Sequence, residues 1–234
     1  MKLYASPLSP FSARVRFSLY FKNIPFEQVK PSSLGGMRSP GFLAVTPLGK
    51  IPVLETDSGW RLPESDVIVE YLEDAVPNPS LRPEGPESIA AARLLSRLSD
   101  LYLLMRLLHG GLTSMMPVAS NRKPDPPDET VVQREWEEVS KALDHIEHFM
   151  ANRGPFALGE NPSTADGALI PYLVFVDNAA RFFGRSEWPG SRPRLSNYLD
   201  AVSAAEPAAA RVRGEVEQAL IDRRGEIEAL VAKG

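Results

Sequence analysis

Three short segments of this 234-residue chain bring hydroxyls, a carboxylate and a proline-linked backbone to places where a strand gives way to a helix or a sheet strand begins. The first is Ser6-Pro7-Leu8-Ser9-Pro10-Phe11-Ser12. A hydroxyl there lies beside the free N–H groups of a helix start, at the positive end of the helix dipole, where anions and thiolates are stabilised. The second is Gly49-Lys50-Ile51-Pro52-Val53-Leu54, a proline opening a β-run. Such a proline suits an edge position or a cis bond, and a cis bond would leave the Ile51 backbone N–H and C=O open to an extended ligand. The third is Glu64-Ser65-Asp66. Its Glu can take an ammonium while the Ser hydroxyl and the helix-start amides take a carboxylate, a pattern that fits an amino-acid head group. Each segment alone also has a plainer account: a serine N-cap, a trans edge proline, an ordinary helix start.

Other chemistries are excluded by what is missing. With no cysteine, disulfides, thiolate metal sites and cysteine nucleophiles are impossible. His145 and His148, with Asp144 and Glu147, have metal-like helical spacing. Ile146 marks the buried stripe between them, so they read as a solvated face and no metal is expected. Nucleophile-elbow, dinucleotide and phosphate-loop motifs are absent. Lys and Arg number 26 against 30 Asp and Glu, an acidic balance that argues against nucleic acid as a partner. The longest apolar run, Ala168–Val176, is far shorter than the roughly 20 residues of a membrane helix. The strand-like KLYAS at the N-terminus lacks the pattern of a secretion signal, and a cytoplasmic location is expected.

The elements that must position these residues follow from periodicity. Lys2–Ala5 reads as a strand and Phe11–Ile24 as a helix, with Pro10 in its first turn. Pro25–Val29 is a second strand, and 31–48 is loop with one irregular turn. Ile51–Glu55 and Trp60–Leu62 form a hairpin around Asp57-Ser58-Gly59. Ser65 is expected to cap the next helix, which buries Ile68, Tyr71, Leu72 and Ala75. Four prolines between Pro77 and Pro86 read as a linker. Beyond it only helical periods occur, on stripes Leu94–Leu108 and Val132–Met150, separated by a proline-rich loop over 121–128. Ser163-Thr164-Ala165-Asp166 is a capping box opening a further helix, which Pro171 is expected to kink or restart. Arg194–Ala204, Ala208–Arg213 and Glu215–Ala232 supply three more helices, and periodicity does not say whether the last covers a site or faces solvent.

Taken together, the serine-proline turn, T-P-L-G-K-I-P-V-L, L-P-E-S-D-V-I-V-E-Y-L and A-L-G-E-N-P-S-T-A-D resemble the cytosolic glutathione S-transferase family, in a serine-type, bacterial-like form. The resemblance covers nearly the whole chain. It implies a thioredoxin-like α/β N-terminal domain over 1–80 that binds glutathione and an all-α C-terminal domain over 87–234 that shapes the site for an apolar electrophile. It also implies a homodimer. Carried over residue by residue, Ser9 is the thiol-activating position, with Tyr4 and Ser12 as alternatives. Ile51 pairs with the cysteinyl backbone before a cis Pro52, Glu64 and Ser65 hold the γ-glutamyl group, and Arg38 contacts the glycyl carboxylate. Phe11 and Lys50 complete the glutathione set. Leu8, Phe11, Tyr102, Met105, His109, Met115 and Met116 are candidates for the co-substrate pocket. Conjugation is the leading activity. A non-catalytic glutathione-binding or protein-interaction module, or a glutathione-dependent isomerase, etherase or dehalogenase, is the alternative. The Ser9-Pro10-Phe11 turn also resembles the Cys-Pro-Phe turn of glutaredoxin-like classes with the nucleophile replaced, so disulfide reduction through a protein mixed disulfide is unavailable.

Overall fold

The computed structural model describes residues 1–109, 112–117 and 124–232. The first half of the architecture is a four-stranded mixed sheet ordered β2-β1-β3-β4, built from β1 (Lys2–Tyr4), β2 (Glu27–Val29), β3 (Val53–Glu55) and β4 (Arg61–Pro63). β1 runs parallel to β2, with Leu3 opposite Gln28, and antiparallel to β3, with Leu3 opposite Leu54. The parallel pair requires a crossover, which is α1 (Pro10–Phe21). α1 and α3 (Ser65–Ala75) cover one sheet face, where Leu3, Val15, Leu19, Leu54, Ile68 and Leu72 are completely buried. The other face is covered at Tyr4 and Val53 by Phe42, from the one-turn α2 (Pro40–Leu43). The region expected to be loop over 31–48 thus carries a 3₁₀ turn (Pro31–Leu34) as well as α2.

From Pro86 onward the regular elements among the described residues are helices, joined by turns and one isolated bridge between Phe156 and Gly159. α4 (Pro86–Leu98) passes through a π-helical stretch (Ser99–Leu104) into α5 (Met105–His109), and α6 is Leu112–Met115. Then come α7 (Glu129–Phe149), α8 (Thr164–Phe182), α9 (Pro193–Ala205) and α10 (Pro207–Val231). α8 is the central helix, with 14 buried residues from Ala165 to Ala180. It begins at the expected capping box, where Asp166 accepts from the Ser163 backbone N–H at 2.7 Å. It does not restart at Pro171 but continues as one helix. Burial on nearly every side explains this: ending the helix there would forfeit far more packing than the roughly 3 kcal/mol an interior proline costs. Gly167 lets α8 lie close on α1, because a Cβ there would sit 3.0 Å from the Phe17 ring. The last two expected helices are likewise a single element, α10, running through Gly214.

The proline-rich connection is docked as well as irregular. Leu81 is fully buried in the helical core, and its carbonyl accepts from Thr164 N–H at 3.0 Å. The buried Lys22 ammonium bonds the carbonyls of Val76 and Pro79, both at 2.7 Å, and pairs with Glu73 at 3.0 Å. No helix among the described residues is long and apolar enough to cross a membrane.

Candidate functional site

Ser9 occupies the N-cap of α1 in extended conformation, and its Oγ accepts from the backbone N–H of Ser12 at 3.2 Å. Pro10 follows in the first helical turn, as its fixed φ favours. The cap leaves the Ser9 hydroxyl proton available to an acceptor outside the helix, at the positive end of its dipole. The two alternative hydroxyls are placed differently. Tyr4 is 6% exposed and donates to Glu55 Oε2 at 3.0 Å, with its ring edge-on to Phe42. Burial and then the hydrogen bond to Glu55 push its phenol above the usual tyrosine range. Ser12 is fully buried in the helix, and its Oγ has no hydrogen-bond partner among the described residues.

Phe11, Lys50, Ile51, Pro52, Glu64 and Ser65 are brought together around one small cavity of about 110 Å³. The Ile51–Pro52 bond is cis, and Ile51 sits just outside the paired register that begins at Val53. At the opposite wall, Glu64 has φ +73°, a left-handed conformation that a non-glycine residue adopts only under constraint. That backbone turns the chain sharply into α3, so Glu64, rather than Ser65, holds the N-cap position and Ser65 becomes the first helical residue. Ser65 is 6% exposed and Glu64 is open to solvent. Behind this wall the buried Arg14 guanidinium pairs with Asp66 of α3 and bonds Asp100 Oδ2 at 3.1 Å and Tyr172 Oη at 3.0 Å. One residue of α1 thereby connects the start of α3 to the π-helical stretch and to α8 in the second half.

A second, larger groove of about 980 Å³ adjoins the first at Ile51, which lines both. One wall is the turn Ala5–Leu8 together with Gln28, Lys30 and Met37; the other is the face of α10 carrying Glu215, Gln218, Ala219 and Asp222. Helical spacing puts those α10 residues on one face, but no pattern in the sequence says that this face meets the turn before Ser9. Of the co-substrate candidates, Leu8 lines this groove and Phe11 the small cavity. Tyr102 and Met105 are exposed on the outer side of the π-helical stretch and α5, and Met115 and Met116 are packed in the helical core. The side chain of His109 lies outside the described residues. Arg38 is exposed and lines neither cavity. His145 and His148 are exposed on α7, and no group of three or more metal-ligating side chains occurs among the described residues.

Residues 3–80 match the family model for the glutathione S-transferase N-terminal domain, and residues 129–201 that for its C-terminal domain. Maleylacetoacetate isomerase of Pseudomonas aeruginosa is 31% identical over 89% of this chain and 93% of its own length. The chain belongs to the glutathione S-transferase family. Two crystal structures of family members show the same fold. Glutathione transferase F7 from Populus trichocarpa superimposes with a TM-score of 0.72 at 26% identity, over 92% of this chain and 98% of that one. A maleylacetoacetate isomerase from Methylobacterium extorquens, solved with bound malonate and glutathione, does so with a TM-score of 0.67 at 26% identity, over 93% and 97%. For this transferase the thioredoxin-like sheet and the all-helical second half are thus the family's own architecture.

Proposed function

We propose that this transferase binds glutathione in the Phe11–Ser65 cavity and uses the Ser9 hydroxyl to hold the glutathione sulfur as a thiolate that attacks an electrophilic small molecule in the adjoining groove. The observation that carries the reading is the convergence of the cis Ile51–Pro52 bond, Glu64 and Ser65 on one cavity that Phe11 also lines; Ser9, two residues before Phe11, lines neither cavity itself but caps the helix through its oxygen and keeps a proton to donate. Ile51 would pair with the ligand backbone. Glu64 would take the γ-glutamyl ammonium, while Ser65 and the first amides of α3 take its carboxylate.

A free thiol has a pKa of about 8.5, so only a few per cent is ionised at neutral pH. A hydroxyl donor at the start of α1 that lowers this by about two units supplies about 2.7 kcal/mol and leaves most of the thiol as thiolate. In conjugation the sulfur lone pair forms a carbon–sulfur bond, the leaving group departs with its bonding electrons, and the thiol proton goes to solvent. Isomerisation uses the same thiolate. It adds to one carbon of a conjugated cis double bond, the resulting single bond rotates, and the carbon–sulfur bond breaks to return free glutathione.

The isomerase reading is favoured by the Pseudomonas aeruginosa relative. The charge of the groove supports conjugation instead: Glu215, Asp222 and Glu226 face it against Lys30 and Arg223, a poor receptor for a dicarboxylate. Retention on immobilised glutathione, followed by assays with an activated halonitrobenzene and with a maleyl-type cis dicarboxylate, tests both. Binding with conjugation supports the proposal, turnover of the dicarboxylate alone transfers the assignment to isomerisation, and binding without either indicates a glutathione-binding module. Absence of binding overturns all three. A homodimer is the expected assembly, sedimenting at twice the 25.7 kDa chain mass.

A further inference from the structure

Arg16 is completely buried nearly two turns into α1, where a free cation has no ordinary place. Its guanidinium turns back along the helix: Nη1 donates to the carbonyl of Ser6 and Nη2 to that of Pro7, both at 3.1 Å. Both carbonyls belong to the turn that delivers Ser9 to its cap, and that of Ser6 also accepts from the Ser9 N–H at 3.1 Å. The counter-charge comes from the far end of the chain, since Glu215 of α10 lies 3.0 Å from Arg16 Nε. Glu215 is itself held in place. Its Oε1 accepts from Tyr20 Oη at 2.8 Å and from Arg211 Nε at 3.2 Å, and the Arg211 guanidinium stacks 3.8 Å above the Tyr20 ring. Glu215 also lines the large groove opposite Ser6 and Pro7, so the contact through Arg16 joins the groove's two walls.

We infer that Glu215 is a positioning residue for the thiol-activating turn: through Arg16 it holds the Ser6 and Pro7 carbonyls, and with them the direction of the Ser9 hydroxyl. The inference rests on the Ser9 reading of the function. A buried guanidinium needs its carboxylate, because an uncompensated charge in a water-poor site is strongly destabilised. Without Glu215, Arg16 swings toward groove water and releases the two carbonyls. The turn then loses its fixed geometry, and a misplacement on the order of 1 Å is enough to weaken a catalytic contact by orders of magnitude. Glutathione binding is little affected, because Ile51, Glu64 and Ser65 hold the tripeptide from the opposite wall.

The test is Glu215→Gln in the full-length protein, made alone and in a Ser9→Ala background. Glu215 is partly exposed and glutamine keeps its shape, and thermal melting checks that the variant is folded before its kinetics are read. The expected result is a fall in kcat of about tenfold, KM for glutathione within about twofold, and a raised apparent pKa of the bound thiol followed by its ultraviolet absorbance. In the Ser9→Ala background the same substitution has no further effect. Arg213→Gln removes the α10 pairs to Asp200 and Glu217 and leaves all three quantities unchanged. A thiol that titrates as in the parent, or lower because Arg16 is merely unmasked, overturns the inference. So does an equal effect of Arg213→Gln, or a full effect in the Ser9→Ala background. If Ser9→Ala alone retains parental turnover, the Ser9 reading itself fails, which separates the two failures.

Discussion

The Ser9 Oγ accepts a hydrogen bond from the Ser12 backbone N–H at 3.2 Å, while the Tyr4 phenol, the other hydroxyl at the end of β1, is turned away onto Glu55. A serine that caps by accepting still has a proton to donate, and a tyrosine already donating to a carboxylate does not.

Kinetics of Ser9→Ala and Tyr4→Phe should therefore differ. Loss of a hydrogen bond to a charged sulfur amounts to about 1.5–3 kcal/mol, or roughly 10- to 150-fold in kcat. Ser9→Ala is expected to lose that much with glutathione KM nearly unchanged, whereas Tyr4→Phe stays within about twofold. The reverse ranking would transfer the role to Tyr4.

Glu64 holds a left-handed backbone without being glycine. Glu64→Gly relieves that strain and is expected to raise unfolding stability by about 1 kcal/mol. The same change removes the carboxylate proposed for the ammonium of glutathione and raises KM by about tenfold. Denaturant melts and steady-state kinetics on one preparation measure both. A variant that is less stable, or that keeps its KM, contradicts the assignment.

Tyr20 reports on the contact between α1 and α10. Burial, and then its hydrogen bond to Glu215, push its phenol up to about 12. Because the folded value lies above the unfolded value near 10, the stabilisation is present below about pH 10 and is lost as pH rises toward 12. Ultraviolet titration of the parent minus Tyr20→Phe should show one phenol ionising late. Ionisation near the ordinary tyrosine value would mean that the Glu215 contact is absent in solution.

Asp166 accepts from Ala157 N–H, Ser163 N–H, Ser163 Oγ and Tyr198 Oη while fully buried. Asp166→Ala leaves four donors unpaired and is expected to remove about 3 kcal/mol or more, lowering Tm by about 6–12 °C. Calorimetry checks this, and a shift within about 2 °C would refute it.

Much of this was legible without coordinates because it depends on neighbours in the chain. The crossover helix after Pro10, the hairpin around Gly59 and the capping box at Ser163 are local devices, with partners three to ten residues apart. The same holds for the segments that meet around the small cavity, each of which carries its own turn chemistry. At Pro171 local propensity favours a kink or a restart and at Gly214 a break, whereas a helix buried in the core or laid along a groove is held continuous by distant packing.

The sequence by itself determined that the chain has no thiol of its own to react, since it has no cysteine, and that a serine stands at the start of the first helix. Only the tertiary structure decided that the Tyr4 phenol is committed to Glu55 and which α10 face meets the turn before Ser9. Those facts rest on pairs such as Tyr4 with Glu55 and Arg16 with Glu215, 51 and 199 residues apart in the numbering. No periodicity encodes pairs so far apart; the antiparallel pairing of β1 with β3 brings the first together, and packing of α1 against α10 the second.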